Sequence, residues 1–141
     1  GTSCLFVTLY FGELTSNNIE IWLINKKSVI NKLIQEHGKL RAKAFPGRAA
    51  ILVKLLELDE NQITCVYEKP GSLKIGNYLP GTRIPIYSDD DLFSLNNKEL
   101  PIINLAWHIP KEINDYMINS GYTGPIIDIL STSDFEVLVE R

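Results

Sequence analysis

Apolar residues along this chain follow two rhythms, and the alternation between them sets the expected fold. Residues 4–11 are almost wholly apolar and rich in β-branched and aromatic side chains, which predicts a strand broken by Gly12. Residues 16–37 change step. Ile19, Trp22, Leu23, Val29, Ile30, Leu33 and Ile34 recur at three- and four-residue intervals, the period of a helix that buries one face. Thr15 and Ser16 are candidate N-caps, and Gly38 is a natural stop. Beyond it, short apolar runs alternate with helical stretches. Strands are expected over 40–45, 63–67, 84–87, 101–106 and 125–130, with a last edge strand over 135–139. A helix is expected over 49–58, with Ile51, Leu52, Leu55 and Leu56 facing inward. A short one follows the Ser88 cap, with the carboxylates of Asp89, Asp90 and Asp91 at the positive end of its dipole. A third runs from Pro110, well suited to a first turn, to Asn119 and stops at Gly121.

Strand–helix alternation implies a mostly parallel sheet, because parallel neighbours need long right-handed crossovers. The expected class is α/β: a small Rossmann-like domain over residues 39–141, its five-stranded sheet flanked by helices. The strand and long helix of residues 1–38 would pack onto it. Ligands of such sheets sit at the carboxyl ends of the strands, near the point where strand order reverses. That rule singles out Pro46, Gly47, Arg48 and Ala49, the loop 68–74, Tyr87, and Trp107 with His108.

Composition narrows the function. The chain has 141 residues, 45% hydrophobic and 22% charged, which suits one domain and is too apolar for disorder. A net charge of −3 lacks the basic footprint that nucleic acid or an anionic membrane requires. The longest apolar run is far shorter than a membrane span and lacks the flanks of a signal peptide. Cys4 and Cys65 are distant and in apolar settings, so free buried thiols in a reducing cytoplasm are expected. With His37 and His108 the only histidines, no cluster has metal-ligand spacing.

Three segments can carry chemistry. The turn Pro46, Gly47, Arg48, Ala49 offers helix N–H groups and a guanidinium to an anion. The G-x-G-x-x-G fingerprint is absent, with Gly47 alone present and Glu68 standing where the ribose acid would be. By spacing alone the turn is an ordinary strand-to-helix connection with a solvated Arg48. The long loop after Glu68 brings Lys74 and Arg83, which either meet a negatively charged ligand or keep a surface loop soluble. His108 can hydrogen-bond a ligand or exchange a proton, or it braces the next helix; no Ser-His-Asp or Cys-His set can be assembled around it.

Several of these stretches, in order, resemble one family. Tyr78 through Ile86 resembles the P-G-T-x-I-P-I signature in the C-terminal domain of nucleotide-sugar C-methyltransferases. Val66-Tyr67-Glu68 and Lys74-Ile75-Gly76 are similar to its V-V-D followed by K-x-G, and Pro46-Gly47-Arg48-Ala49 to its P-A-K-G turn. Leu105-Ala106-Trp107-His108 with Glu112-Ile113 resembles L-P-W-N followed by E-I, and residues 121–130 resemble the closing G-G-x-F-x-x-P-x-P strand. Departures are Lys43 and Phe45 in place of glycines before the turn, Glu68 for Asp, and His108 for Asn.

The resemblance implies a substrate-side domain that helps hold a TDP-linked sugar and is not catalytic alone. S-adenosylmethionine and zinc would belong to methyltransferase domains that this sequence does not contain. Carried over by position, the binding residues are Pro46, Gly47, Arg48, Ala49, Lys74, Gly76, Pro80, Gly81, Thr82, Trp107 and His108, with no catalytic residue and no metal. The implied partners are a nucleotide-sugar or similar phosphorylated small molecule and the remaining methyltransferase domains. Two rival expectations stand beside this one. The chain could be a noncatalytic assembly module, dimerising through residues 4–11 and the long helix. It could instead be a small enzyme in its own right, using His108.

Overall fold

The computed structural model describes residues 16–135. Five strands, all parallel, form one sheet: β1 (Leu40–Lys43), β2 (Ile63–Glu68), β3 (Ile86–Ser88), β4 (Ile102–Asn104) and β5 (Ile126–Asp128), in the order β3-β2-β1-β4-β5. The chain starts in the middle, winds outward to β3, and then crosses back to β4 beside β1. Strand order therefore reverses between β1 and β4, the feature that defines the expected Rossmann-like class.

Helices cover both faces. On one lie α1 (Ser16–His37) and α2 (Ala50–Leu55, entered through a 3₁₀ turn at Gly47–Ala49). Their buried Trp22, Ile30, Leu52 and Val53 share a core with Ala42, Val66, Ile86 and Ile103 of the strands. On the other lie α3 (Asp89–Phe93) and α4 (Pro110–Asn119), where Leu92, Ile113 and Met117 pack with Cys65, Tyr67 and Ile102. The division follows from the pleat, because successive side chains of a strand point to opposite faces. Burial pushes the Cys65 thiol above its usual range, which makes it an inert core residue.

α1 is tied to the far end of the chain by polar contacts as well as by packing. The Trp22 indole donates to the Ile129 carbonyl at 2.8 Å, and the buried Lys26 ammonium donates to the Asp128 carbonyl at 2.8 Å. Lys26 also pairs with the Asp134 carboxylate at 2.8 Å. Outer-edge carbonyls of the segment leaving β5 are thus satisfied by a helix rather than by a further strand.

Helix ends follow the anticipated residues. Gly38, at φ +81°, closes α1 by donating to the Ile34 carbonyl, and Gly121, at φ +92°, closes α4. Ser88 caps α3 by accepting from the Asp90 N–H at 3.2 Å.

Other boundaries and faces differ from the sequence expectation. β1 stops at Lys43, not residue 45, because Ala44 turns to φ +67°. β3 begins two residues late: Pro85 has no N–H for the ladder, and the Ile84 N–H bonds the Thr82 hydroxyl instead. β4 ends at Asn104, whose side chain takes over the pairing of Ala106. The helix expected over 49–58 stops at Leu55 because Glu57 adopts φ +55°, giving a Schellman closure with Leu58 N–H on the Val53 carbonyl and Glu57 N–H on the Lys54 carbonyl. Ile51 and Leu55 are exposed, and Val53 takes an inward place with Leu52 and Leu56. The strand expected over 4–11 lies outside the described residues. So does the edge strand expected over 135–139, save for Phe135, whose N–H closes a turn on the Thr132 carbonyl.

Candidate ligand site at the carboxyl end of the sheet

The crevice between β1 and β4 is framed by the two segments that leave those strands. From β1, Ala44 donates to the Tyr67 carbonyl at 2.7 Å and then swings left-handed, so that the next N–H, that of Phe45, points sideways toward the end of β2. There it meets Glu68: the Phe45 N–H donates to Oε2 at 2.8 Å, and the Ser72 hydroxyl donates to Oε1 at 3.0 Å. Lys74 completes the clasp. Its ammonium donates to the Phe45 carbonyl, lies 3.9 Å from Glu68 Oε1, and stands 5.9 Å from the centre of the Phe45 ring.

Past Phe45 the chain enters the 3₁₀ turn through an extended Pro46. Gly47 is exposed, has no left-handed φ, and a methyl group built there would meet nothing within 4 Å. The fold makes no demand for glycine at this position, in contrast with Gly76 (φ +91°) and Gly81 (φ +77°), whose backbone conformations require it. Ala49 is fully buried and seats the turn on the core, and Arg48 is half-buried beside it.

From β4, the Asn104 side chain holds the next segment in a tight loop. It accepts from the Ala106 N–H at 2.9 Å and donates to the Ala106 carbonyl at 3.2 Å and to Asp128 Oδ1 at 2.9 Å. Trp107 then enters the α1–α2 side core at 2% exposure, leaving His108 at the surface of the crevice, its ring edge-on to the indole at 6.1 Å. Partial burial, followed by the charge of Arg48, holds the His108 imidazole below its usual range, against the smaller upward pull of Glu112. His108 is therefore a neutral imidazole at pH 7, and Arg48 stands electrostatically close to it across the switch point.

The expected site residues thus divide. Pro46, Gly47, Arg48, Ala49 and His108 frame the crevice, Lys74 is held against it, and Trp107 is core. Pro80, Gly81 and Thr82 are elsewhere. Residues 76–79 fold back antiparallel along 84–86, with Leu79 N–H on the Ile84 carbonyl at 3.0 Å and Ile86 N–H on the Asn77 carbonyl at 2.9 Å. The reversal falls on Pro80–Gly81–Thr82, where the Thr82 hydroxyl donates to the Leu79 carbonyl at 2.9 Å. Arg83 N–H bonds Glu60 at 2.8 Å, which fixes this reversal near the amino end of β2, opposite the crevice. A groove of about 540 Å³, lined by Phe45, Val53, Leu58, Leu79 and Pro80, lies between this hairpin and α2. The P-G-T stretch is accordingly a turn-forming element.

Beneath the crevice, on the α3–α4 face, is a network that the sequence reading missed. Lys43 and Asp89, both 1% exposed, form an ion pair with Nζ–O distances of 2.8 and 2.9 Å, and the Tyr116 hydroxyl donates to Asp89 Oδ2 at 2.7 Å. Asp89 stands in the first turn of α3 as expected, and its carboxylate is in addition buried against Lys43 and Tyr116. The available signal was Lys43 itself, a cation in an otherwise core-facing strand position, which must find a buried partner. Among the described residues no group of three or more His, Cys, Asp or Glu side chains is placed to hold a metal ion, and no helix is long and apolar enough to cross a membrane.

No curated protein matches the chain. A family model does, over residues 18–124, a span that takes in most of α1, the first four strands, the switch point and α4. That match, together with the parallel sheet and its order of reversal, supports a methyltransferase-associated domain. The chain belongs to the C-methyltransferase C-terminal domain family.

Proposed function

We propose that this domain holds a nucleotide-sugar at the carboxyl end of its sheet, for a methyl transfer performed by other domains of a cytoplasmic sugar C-methyltransferase. The observation that carries the reading is that the Gly47–Ala49 turn leaving β1, with half-buried Arg48, and His108 beyond β4 flank the β1/β4 switch point at the carboxyl end of the sheet. An anion seated there would meet the guanidinium, the bare backbone at Gly47 and a neutral ring able to donate or accept one hydrogen bond. The same turn does not suit S-adenosylmethionine: it offers one glycine, and Phe45 beside it is buried with its N–H already bound to Glu68. The methyl donor is assigned to the absent domains, and no step of the transfer is derived from these residues.

The test is a titration of the isotope-labelled chain with TDP-glucose and UDP-glucose, followed by amide and imidazole chemical shifts. Shifts centred on Gly47, Arg48 and His108 are expected. Gly47→Ala, which the fold tolerates sterically, should keep its folded spectrum and lose them. Absence of shifts at tens of millimolar ligand, or shifts confined to the α2–hairpin groove, would remove the reading. A second reading, an assembly module, draws on Ile24 and Val29, 69% and 41% exposed on α1. A strict monomer by sedimentation at high concentration removes it.

A further inference from the structure

We propose that Glu68 and Lys74 form a positioning clasp: they hold the backbone of Ala44 and Phe45 so that the Gly47–Ala49 turn faces the ligand's anionic group, and neither side chain touches the ligand. This rests on the nucleotide-sugar reading above. Ala44 sits at φ +67°, a left-handed backbone that is disfavoured for a residue with a Cβ and persists only where its surroundings over-determine it. Those surroundings are the end of β2 and the loop that follows it. The Ala44 N–H donates to the Tyr67 carbonyl at 2.7 Å, the Phe45 N–H donates to Glu68 Oε2 at 2.8 Å, and the Phe45 carbonyl accepts from the Lys74 ammonium. Both backbone polar groups of residue 45 are thus held by one loop.

The loop is braced independently of the turn it holds. The Ser72 hydroxyl donates to Glu68 Oε1 at 3.0 Å and accepts from the Lys74 N–H at 3.3 Å, and the Gly76 N–H donates to the Ile86 carbonyl of β3 at 3.0 Å. On the turn side, Pro46 has no N–H, so the first backbone donor past the clasp is that of Gly47. The direction of that donor, and of Arg48 after it, follows from the peptide planes that the clasp fixes. Without the clasp, Ala44 can relax to an extended or right-handed backbone, and the turn swings with it. A turn that is binding-competent only part of the time weakens apparent affinity in proportion. Lys74 brings little charge of its own to the crevice. Its ammonium lies 3.9 Å from Glu68 Oε1, so the two opposite charges largely cancel at the distance of the ligand.

The test uses the charge-neutral double variant Glu68→Gln with Lys74→Met, and the same variant with Ala44→Gly added. Parent and variants are titrated with UDP-glucose at low and at high salt, with the Gly47, Arg48 and His108 shifts as the readout of binding. Lys74 is exposed and glutamine keeps the shape of Glu68, so both variants should fold; an amide spectrum unchanged away from residues 44–49 and 68–76 checks this. The double variant is expected to bind about fivefold more weakly, by the same factor at both salt concentrations. Its Phe45 amide should exchange faster with solvent before any ligand is added. Ala44→Gly should restore most of the lost affinity, because glycine takes a left-handed backbone without a clasp and cannot replace an ammonium–phosphate contact. A loss that Ala44→Gly leaves in place, or one confined to low salt, would put the Lys74 charge on the ligand and overturn the clasp. Undiminished affinity in the double variant would overturn it too, and both outcomes leave the nucleotide-sugar reading intact. If the double variant does not fold, Lys74→Met with and without Ala44→Gly is judged by the same rescue. Absence of shifts in the parent overturns that reading and this one together.

Discussion

The buried Lys43–Asp89 pair makes a sharp test of how the sheet is held to its α3–α4 face. Asp89→Asn removes the charge and little else. The Lys43 ammonium, 1% exposed, would then keep one neutral amide oxygen in place of the carboxylate, with the Tyr67 carbonyl at 3.5 Å and the Tyr116 ring at 5.2 Å, and no counter-charge. Leaving a buried charge without its partner costs about 3–5 kcal/mol, a fifth or more of the about 5–15 kcal/mol that stabilises a typical domain. Urea unfolding at pH 7 should show that loss with an unchanged m-value. Tyr116→Phe, which deletes one hydrogen bond to the carboxylate, should cost about 1.5 kcal/mol, and the double replacement Lys43→Met with Asp89→Leu should come back close to the parent. A loss under about 1 kcal/mol for Asp89→Asn would refute the argument.

Gly124→Ala should destabilise by about 1–3 kcal/mol in thermal or urea unfolding, because its methyl group would lie 2.2 Å from the Leu100 carbonyl oxygen and the backbone of 99–100 must move. Glu57→Gly should stabilise by about 1 kcal/mol, since a left-handed Schellman position at φ +55° suits glycine and the exposed Lys27 pair at 3.6 Å contributes little. His108, held neutral in the folded state below its unfolded pKa near 6.5, makes folding stability fall as pH drops from about 7 to 5, and His108→Gln should flatten that slope in pH-resolved unfolding. An anion bound at Arg48 should raise the His108 pKa by cancelling the cation's field, which imidazole proton shifts will report.

The sequence carried the fold through residues whose physics is local. Gly38, Ser88, Pro110 and Gly121 mark helix ends because each has one conformational or capping property that no neighbour shares. Faces were harder to read. In α2 the run Ile51, Leu52, Val53, Leu55, Leu56 is apolar in almost every direction, so the choice of Val53 over Ile51 and Leu55 was settled by where β1 and the hairpin place the helix axis. Strand ends were equally hidden. Ala44 takes a left-handed backbone that its side chain disfavours, and tertiary contacts such as Phe45 N–H on Glu68 hold it there. The crevice was legible from the rule that ligands sit where strand order reverses. Its wiring was not: Lys43 with Asp89, and Asn104 with Asp128, are pairs 46 and 24 residues apart.

That wiring limits what the chain can hold by itself. At the β1 turn the Phe45 N–H is committed to Glu68, Pro46 has none, and Lys74 is spent on the Phe45 carbonyl, so a diphosphate at the proposed site would be met chiefly by Arg48 and the Gly47 backbone. Charge-assisted hydrogen bonds contribute about 1.5–3 kcal/mol each, and two or three of them, about 3–9 kcal/mol together, offset only the lower part of the about 4–15 kcal/mol that association costs in lost freedom. A dissociation constant of 1 mM corresponds to about −4 kcal/mol, and the isolated chain should bind UDP-glucose no tighter than that. Calorimetry or shift titration finding a low-micromolar constant for this chain alone would mean that the crevice is a complete site. A millimolar constant makes it one wall of a cleft, and the missing several kcal/mol must then come from the opposite wall, which a methyltransferase-associated domain would obtain from its companion domains.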